Sequence, residues 1–209
     1  DKPPYFSITT LPIYSLHDEI QTIESLKVSI TAPHGTGKTI LIPLFLACRL
    51  IHNQSSSKFV ILIEHDISSI HNIKNIYKRM CYRDKDDDFN EYDDDNDTLI
   101  ITSSLSRIVK YYEIFCKPKS SLYFPVVGIL SPIYALHLIH SVKDINHLVS
   151  NSIFIIDDVH LRTVETDVFV QDISNQLNHR KKSYLPRLIM MSTIQDDNYI
   201  KLNGHHQQL

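Results

Sequence analysis

The chain has 209 residues, 43% of them hydrophobic, which is enough to bury one sizeable core and fits a single domain spanning residues 1–209. Its longest apolar stretch, Thr39 to Ile51, is broken by Pro43 and Arg49 and is too short to cross a bilayer, so no membrane partner is expected. Three widely spaced cysteines, with no CxxC pair, argue against a disulfide framework or a zinc site and for an intracellular setting, cytoplasmic or nuclear.

The net charge of −3, taken alone, speaks against a nucleic-acid binder. Its distribution alters that inference. The run Arg83 to Asp97 holds nine acids and two bases, so it carries 2 − 9 = −7 and leaves the remaining residues at about +4. Such a run reads as a solvated, flexible insertion in a mildly basic body.

In chain order, a helix is predicted from near Ser15, then a strand at Val28 to Thr31. A helix from Gly37, a strand at Phe59 to Glu64 and a helix from Ile67 follow. After the acidic run come a helix from Ser104, a strand at Val126 to Leu130, a helix from Pro132 and a strand at Ile153 to Asp157. A helix from Thr163, a strand at Leu188 to Ser192 and a helix near Asp196 complete the series. Apolar strands alternating with helices predict an α/β fold with a mostly parallel sheet covered on both faces.

Between the first strand and the helix that follows lies Ala32-Pro33-His34-Gly35-Thr36-Gly37-Lys38-Thr39, a Walker A pattern with Ala in place of the first Gly. The strand-loop-helix context lets loop amides and the helix N-terminus converge on phosphate oxygens. Glycine usage sharpens the point: the chain has four glycines where average usage of roughly 7% would give about fifteen. Two of the four are Gly35 and Gly37, which suggests a backbone that side chains would obstruct. ATP with Mg2+ is therefore the expected ligand of this loop.

A second motif, Ile153-Phe154-Ile155-Ile156-Asp157-Asp158-Val159-His160, is an apolar strand ending in two carboxylates and a histidine. A P-loop ATPase needs an acid at such a strand end to hold magnesium, and a second acid can orient the attacking water.

With these motifs in place the chain resembles the DEAH/DExH family of superfamily 2 RNA helicases, in order through most of its length. Leu11-Pro12-Ile13-Tyr14 with Asp18-Glu19-Ile20 looks like the family's opening segment, and Ile42-Pro43 with Phe45 is similar to the helix after motif I. Asp157 to Thr163, with Asp167, resembles motif II, Asp-Glu-x-His-Glu-Arg-Thr, and Ser192-Thr193-Ile194 stands in the place of motif III, Ser-Ala-Thr. Val159 is similar to the residue found in Tudor-containing germline helicases, among other subgroups.

The resemblance implies a first RecA-like domain that binds ATP. It implies that Lys38 contacts the β- and γ-phosphates, that His34, Gly35, Thr36, Gly37 and Thr39 complete the nucleotide-binding loop, and that Thr39 and Asp157 hold magnesium. Asp158 would orient water, and His160 with Ser192 would couple nucleotide state to the rest of the motor. A second RecA-like domain in a longer protein would supply arginine fingers, so the domain alone is expected to be weak or inactive.

The pattern is broken in several places. Asp158 replaces a glutamate, and Ile194 stands where a threonine hydroxyl is usual. Glu64-His65-Asp66 aligns with the Pro-Arg-Arg stretch of motif Ia, and Ser131-Pro132-Ile133 aligns with the later Thr-x-Gly motif. RNA affinity through this domain alone is therefore expected to be weak. Two readings follow: the ATP-binding first motor domain of an ATP-dependent RNA helicase or RNP-remodelling ATPase, or a catalytically degenerate helicase-like scaffold that binds protein partners.

Other features read as structural. His137/His140 and His205/His206 lack a carboxylate or cysteine at ligand spacing, Tyr111, Tyr112 and Tyr134 fit core positions, and Cys48 fits the apolar face of its helix. Arg180-Lys181-Lys182 reads as a loop after the helix from Thr163.

Overall fold

A computed structural model describes residues 27–31, 33–52, 58–81, 99–117, 125–178 and 187–193. Six strands, β1 (Lys27–Thr31), β2 (Phe59–Ile63), β3 (Ile100–Thr102), β4 (Val126–Leu130), β5 (Ser152–Ile156) and β6 (Leu188–Ser192), form one sheet in the order β1-β6-β5-β2-β4-β3. Every neighbouring pair is parallel. The α/β fold with a parallel sheet is as the sequence predicts, and its arrangement is consistent with a RecA-like domain.

The connecting helices are α1 (Lys38–His52), α2 (Ile67–Cys81), α3 (Leu105–Phe115), α4 (Pro132–Ser141), α5 (Ile145–Asn151) and α6 (Val164–Asn178). Side chains alternate across each strand and so feed two cores. Val60, Leu62, Val127, Ile129, Ile153 and Ile155 face α1 and α2. Phe59, Ile61, Ile63, Val126, Phe154 and Ile156 face α3 to α6, where Phe154 meets Phe169 edge-on at 5.4 Å. In β2, β4, β5 and β6 every residue is buried, the pattern of strands covered on both faces.

Gly128 shows why the interior of β4 carries a glycine. A Cβ there would come within 2.6 Å of Ile108 Cδ1 and 2.8 Å of Ile61 Cδ1, so the missing side chain lets α3 pack tightly on the sheet.

Two helices, α2 and α5, start where an aspartate side chain satisfies their first amides. Asp66 precedes α2 and accepts from the amides of Ser68 at 3.1 Å and Ser69 at 3.2 Å. Hydrogen bonds from the Ser68 and Ser69 hydroxyls, with those amides, lower the Asp66 carboxyl to about 2. A group whose folded pKa is depressed stabilises above its ordinary value and loses that effect as pH falls towards the depressed one. Asp66→Ala is therefore expected to lower the unfolding midpoint by a few degrees at neutral pH. In urea titrations the variant and the unmodified chain should converge between about pH 5 and pH 2.

The structure corrects the sequence reading in four places. β3 and α5 are elements that the sequence pattern did not announce. Cys48 is exposed rather than packed, because α1 is apolar around most of its circumference and buries Leu44, Leu46, Ala47 and Leu50 instead. Tyr134 is 52% exposed, since α4 turns Ala135, Leu138 and Ile139 inward, whereas Tyr112 is buried and Tyr111 half-buried against the core. His137 and His140 lie at the surface.

The helices expected near Ser15 and Asp196, the acidic run 83–97, the basic cluster at 180–182 and His205/His206 lie outside the described residues. So do the opening segment, Ala32 and Ile194. Among the described residues no helix is long and apolar enough to cross a membrane.

Candidate functional site

Parallel pairing puts the carboxyl ends of all six strands along one edge of the sheet, the edge where ligands of open α/β sheets bind. The residues singled out in the sequence follow those ends. The loop from Pro33 to Gly37 leaves β1, Glu64 leaves β2, Asp157 and Asp158 leave β5, and Ser192 and Thr193 close β6.

The loop has the backbone that its glycines suggest. Gly35 and Gly37 have φ of 77° and 79°, in the left-handed region that side chains disfavour. A Cβ on Gly37 would also press on Leu41 Cδ1 at 2.9 Å. Thr36 is buried and its hydroxyl donates to the Pro33 carbonyl at 2.9 Å, bracing the turn from inside, while His34 and Gly35 are exposed. The Gly37 carbonyl then accepts from the amides of Ile40 at 3.0 Å and Leu41 at 2.7 Å, which starts α1.

Lys38, the first residue of α1, is only 5% exposed, and its ammonium lies 3.8 Å from Asp158 Oδ1. The Thr39 hydroxyl donates to Asp157 Oδ2, so α1 and the end of β5 are joined directly. Asp157 is buried, which raises its carboxyl above the ordinary range. The neighbouring Asp158 adds to that rise, while the Thr39 hydroxyl and Lys38 oppose it.

Asp158 has φ 43°, a left-handed conformation that Asp tolerates better than most residues. The buried Oδ1 of Asp158 has no hydrogen-bond partner among the described residues and faces Lys38 and, at 4.0 Å, His160 Nδ1. His160 sits on a 3-10 turn, Val159–Leu161, with Nδ1 3.2 Å from Ser192 Oγ and Nε2 3.5 Å from Thr193 Oγ1.

Two participants escaped the sequence reading. Thr193 stands where the motif III that this segment resembles has alanine, and its hydroxyl approaches the His160 ring that Ser192 also touches. The one available signal was a hydroxyl shifted by one position in the motif. Tyr77, from the inward stripe Ile70, Ile73, Tyr77 of α2, donates its hydroxyl to the Thr39 carbonyl at 2.6 Å. Burial first, and then the charges of Asp157 and Glu64, push this phenol above its ordinary range, so it remains a donor.

The side of the site towards β2 is acidic. Glu64 is half-buried, and its carboxyl is raised by burial and then by Asp157, Asp158 and Asp66, against an opposing hydrogen bond from the Asp66 amide. His65 is lowered by burial, and its buried Nε2 has no partner among the described residues. Ser131, in the place of the Thr-x-Gly motif, is buried with its Oγ likewise without a partner.

A triphosphate with magnesium fits this chemistry. A Cβ added to Gly35 would meet nothing within 4 Å beyond its chain neighbours, so the loop is open on that side, and a buried ammonium stands at the helix start. The Thr39 hydroxyl and Asp157 carboxylate are the hard oxygen donors magnesium takes, in the small number it uses when phosphates complete its shell. Among the described residues no group of three or more His, Cys, Asp or Glu residues suited to a metal occurs.

No protein-family model matches the chain, and no curated protein matches it. Among solved structures, one of a nuclease-deletion mutant of the Type ISP restriction-modification enzyme LlaGI, in complex with a DNA substrate mimic, is similar. It shares 12% identity over 87% of this chain with a TM-score of 0.49, and the match spans 16% of that chain's length.

Proposed function

We propose that this chain is the ATP-binding first motor domain of an ATP-dependent RNA helicase or RNP-remodelling ATPase of the DEAH/DExH type. The observation that carries the reading is the convergence of three separate motifs at one sheet edge. Buried Lys38 faces Asp158, the Thr39 hydroxyl meets Asp157, and His160 of motif II touches Ser192 of motif III.

On this reading the amides of His34, Gly35, Thr36 and Gly37 cradle the phosphates, and Lys38 places its charge on the β- and γ-phosphates. Thr39 and Asp157 hold magnesium, which when bound neutralises charge developing on the phosphates. Asp158 orients the attacking water. His160, held between Ser192 and Thr193, links the nucleotide side of β5 to β6 and so to whatever moves with it.

One observation favours a second reading, a helicase-like scaffold that binds protein partners. Where the family presents phosphate-binding cations, Asp66 caps α2 and His65 is disfavoured in its charged form. An RNA backbone is repelled there rather than held.

Nucleotide binding by this chain, followed by ATP hydrolysis with and without single-stranded RNA at low salt in the longer, two-domain protein that the motor reading implies, separates the two. A several-fold stimulation by RNA supports the motor. Nucleotide binding without stimulation supports the scaffold, and failure to bind nucleotide at all sinks the motor reading.

A further inference from the structure

The first turn of α1 contains a gap in its hydrogen bonding. In an α-helix the carbonyl of residue i accepts from the amide of residue i+4. For Thr39 that partner is Pro43, inside α1, which has no N–H. The Tyr77 hydroxyl, arriving from α2, fills the vacancy at 2.6 Å from the Thr39 carbonyl oxygen. Tyr77 is 0% exposed, so water cannot take its place.

The same threonine turns its side chain the other way, onto Asp157. Thr39 is thus held at two points, by α2 through its carbonyl and by the end of β5 through its hydroxyl. We propose that Tyr77 is a positioning residue for the nucleotide site: its hydroxyl substitutes for the amide that Pro43 lacks and fixes Thr39 for metal binding. The proposal rests on the nucleotide reading above and adds to it a residue, 38 positions further along the chain, that touches neither phosphate nor metal.

Pro43 makes the proposal testable without dismantling the core. Tyr77→Phe removes one oxygen and keeps the ring, while Pro43→Ala restores the N–H that an ordinary helix would supply. This chain would be titrated with a fluorescent ATP analogue in magnesium and again in EDTA, giving the gain in affinity that magnesium confers.

Tyr77→Phe is expected to cut that gain roughly three- to tenfold, the range carried by one buried hydrogen bond. Affinity in EDTA, which reports on the loop amides and Lys38, should be unchanged. The double variant Pro43→Ala/Tyr77→Phe should recover the gain. An unchanged gain in Tyr77→Phe overturns the proposal, and so does a loss that the double variant fails to recover, since that would reflect loosened packing. In either case a large loss of binding in Lys38→Ala would leave the nucleotide reading standing. If Lys38→Ala binds as tightly as the unmodified chain, the nucleotide reading fails and the role of Tyr77 fails with it.

Discussion

Replacing Lys38 by alanine is expected to weaken binding of an ATP analogue with magnesium by about a hundredfold or more. Hydrogen bonds to charged partners contribute roughly 1.5 to 3 kcal/mol each, and a lysine bridging two phosphates makes at least two. Every 1.4 kcal/mol is about tenfold in affinity. The site amplifies the effect because the ammonium is almost fully enclosed, so solvent cannot replace it. Its removal also leaves Asp158 facing incoming phosphates without the lysine's charge beside it, and it withdraws the charge that opposes the upward shift of Asp157.

Fluorescence titration, with a thermal unfolding control to establish that the variant is folded, measures the loss. Equal affinity in the variant and the unmodified chain would remove the nucleotide site from this edge of the sheet.

The parts of the molecule legible in the sequence are those in which one local pattern determines the outcome. Runs such as Phe59 to Ile63 and Ile153 to Ile156 announce buried strands because every position is apolar. Gly35 and Gly37 announce positive φ because the chain uses glycine so sparingly. β3 escaped because three residues, Ile-Ile-Thr, are too few to show a period, and α5 because seven residues give barely two turns.

Exposure was misjudged at Cys48 and Tyr134 for one reason. On helices apolar around much of their surface, spacing alone does not say which side meets the sheet.

Site geometry divides along the same line. That Thr39 and Asp157 meet could be anticipated, since both belong to motifs whose order and context require it. That Tyr77 holds Thr39 could not, because nothing in residues 67–81 distinguishes a core tyrosine from one that completes another helix's backbone. The clue lay elsewhere, in Pro43, whose missing amide leaves the part-buried Thr39 carbonyl in want of a donor. Thr193 illustrates a related limit: a motif read letter by letter misses a hydroxyl that has moved one place along the chain.

Lengthening Asp158 is expected to produce the largest gain. If Asp158 orients water as proposed, the slow hydrolysis expected of this chain should rise by roughly tenfold to a hundredfold in Asp158→Glu, while affinity for the ATP analogue changes little. The carboxylate of Asp158 is held back near the start of α1, with Oδ1 3.8 Å from Lys38 Nζ and 4.0 Å from His160 Nδ1. One added methylene advances the acid by about an ångström towards the position from which it would orient water, and an error of that size costs about a hundredfold in positioned reactions.

The backbone opposes the change. Position 158 has φ 43°, where aspartate is tolerated better than glutamate, so the variant should unfold at a slightly lower temperature even as it turns over faster. Single-turnover hydrolysis with saturating ATP and magnesium separates chemistry from binding. Unchanged turnover with intact binding would mean that side-chain length at 158 does not limit the reaction. On the proposed reading, the contacts of His160 with Ser192 and Thr193 would then be the next place to look for what limits turnover.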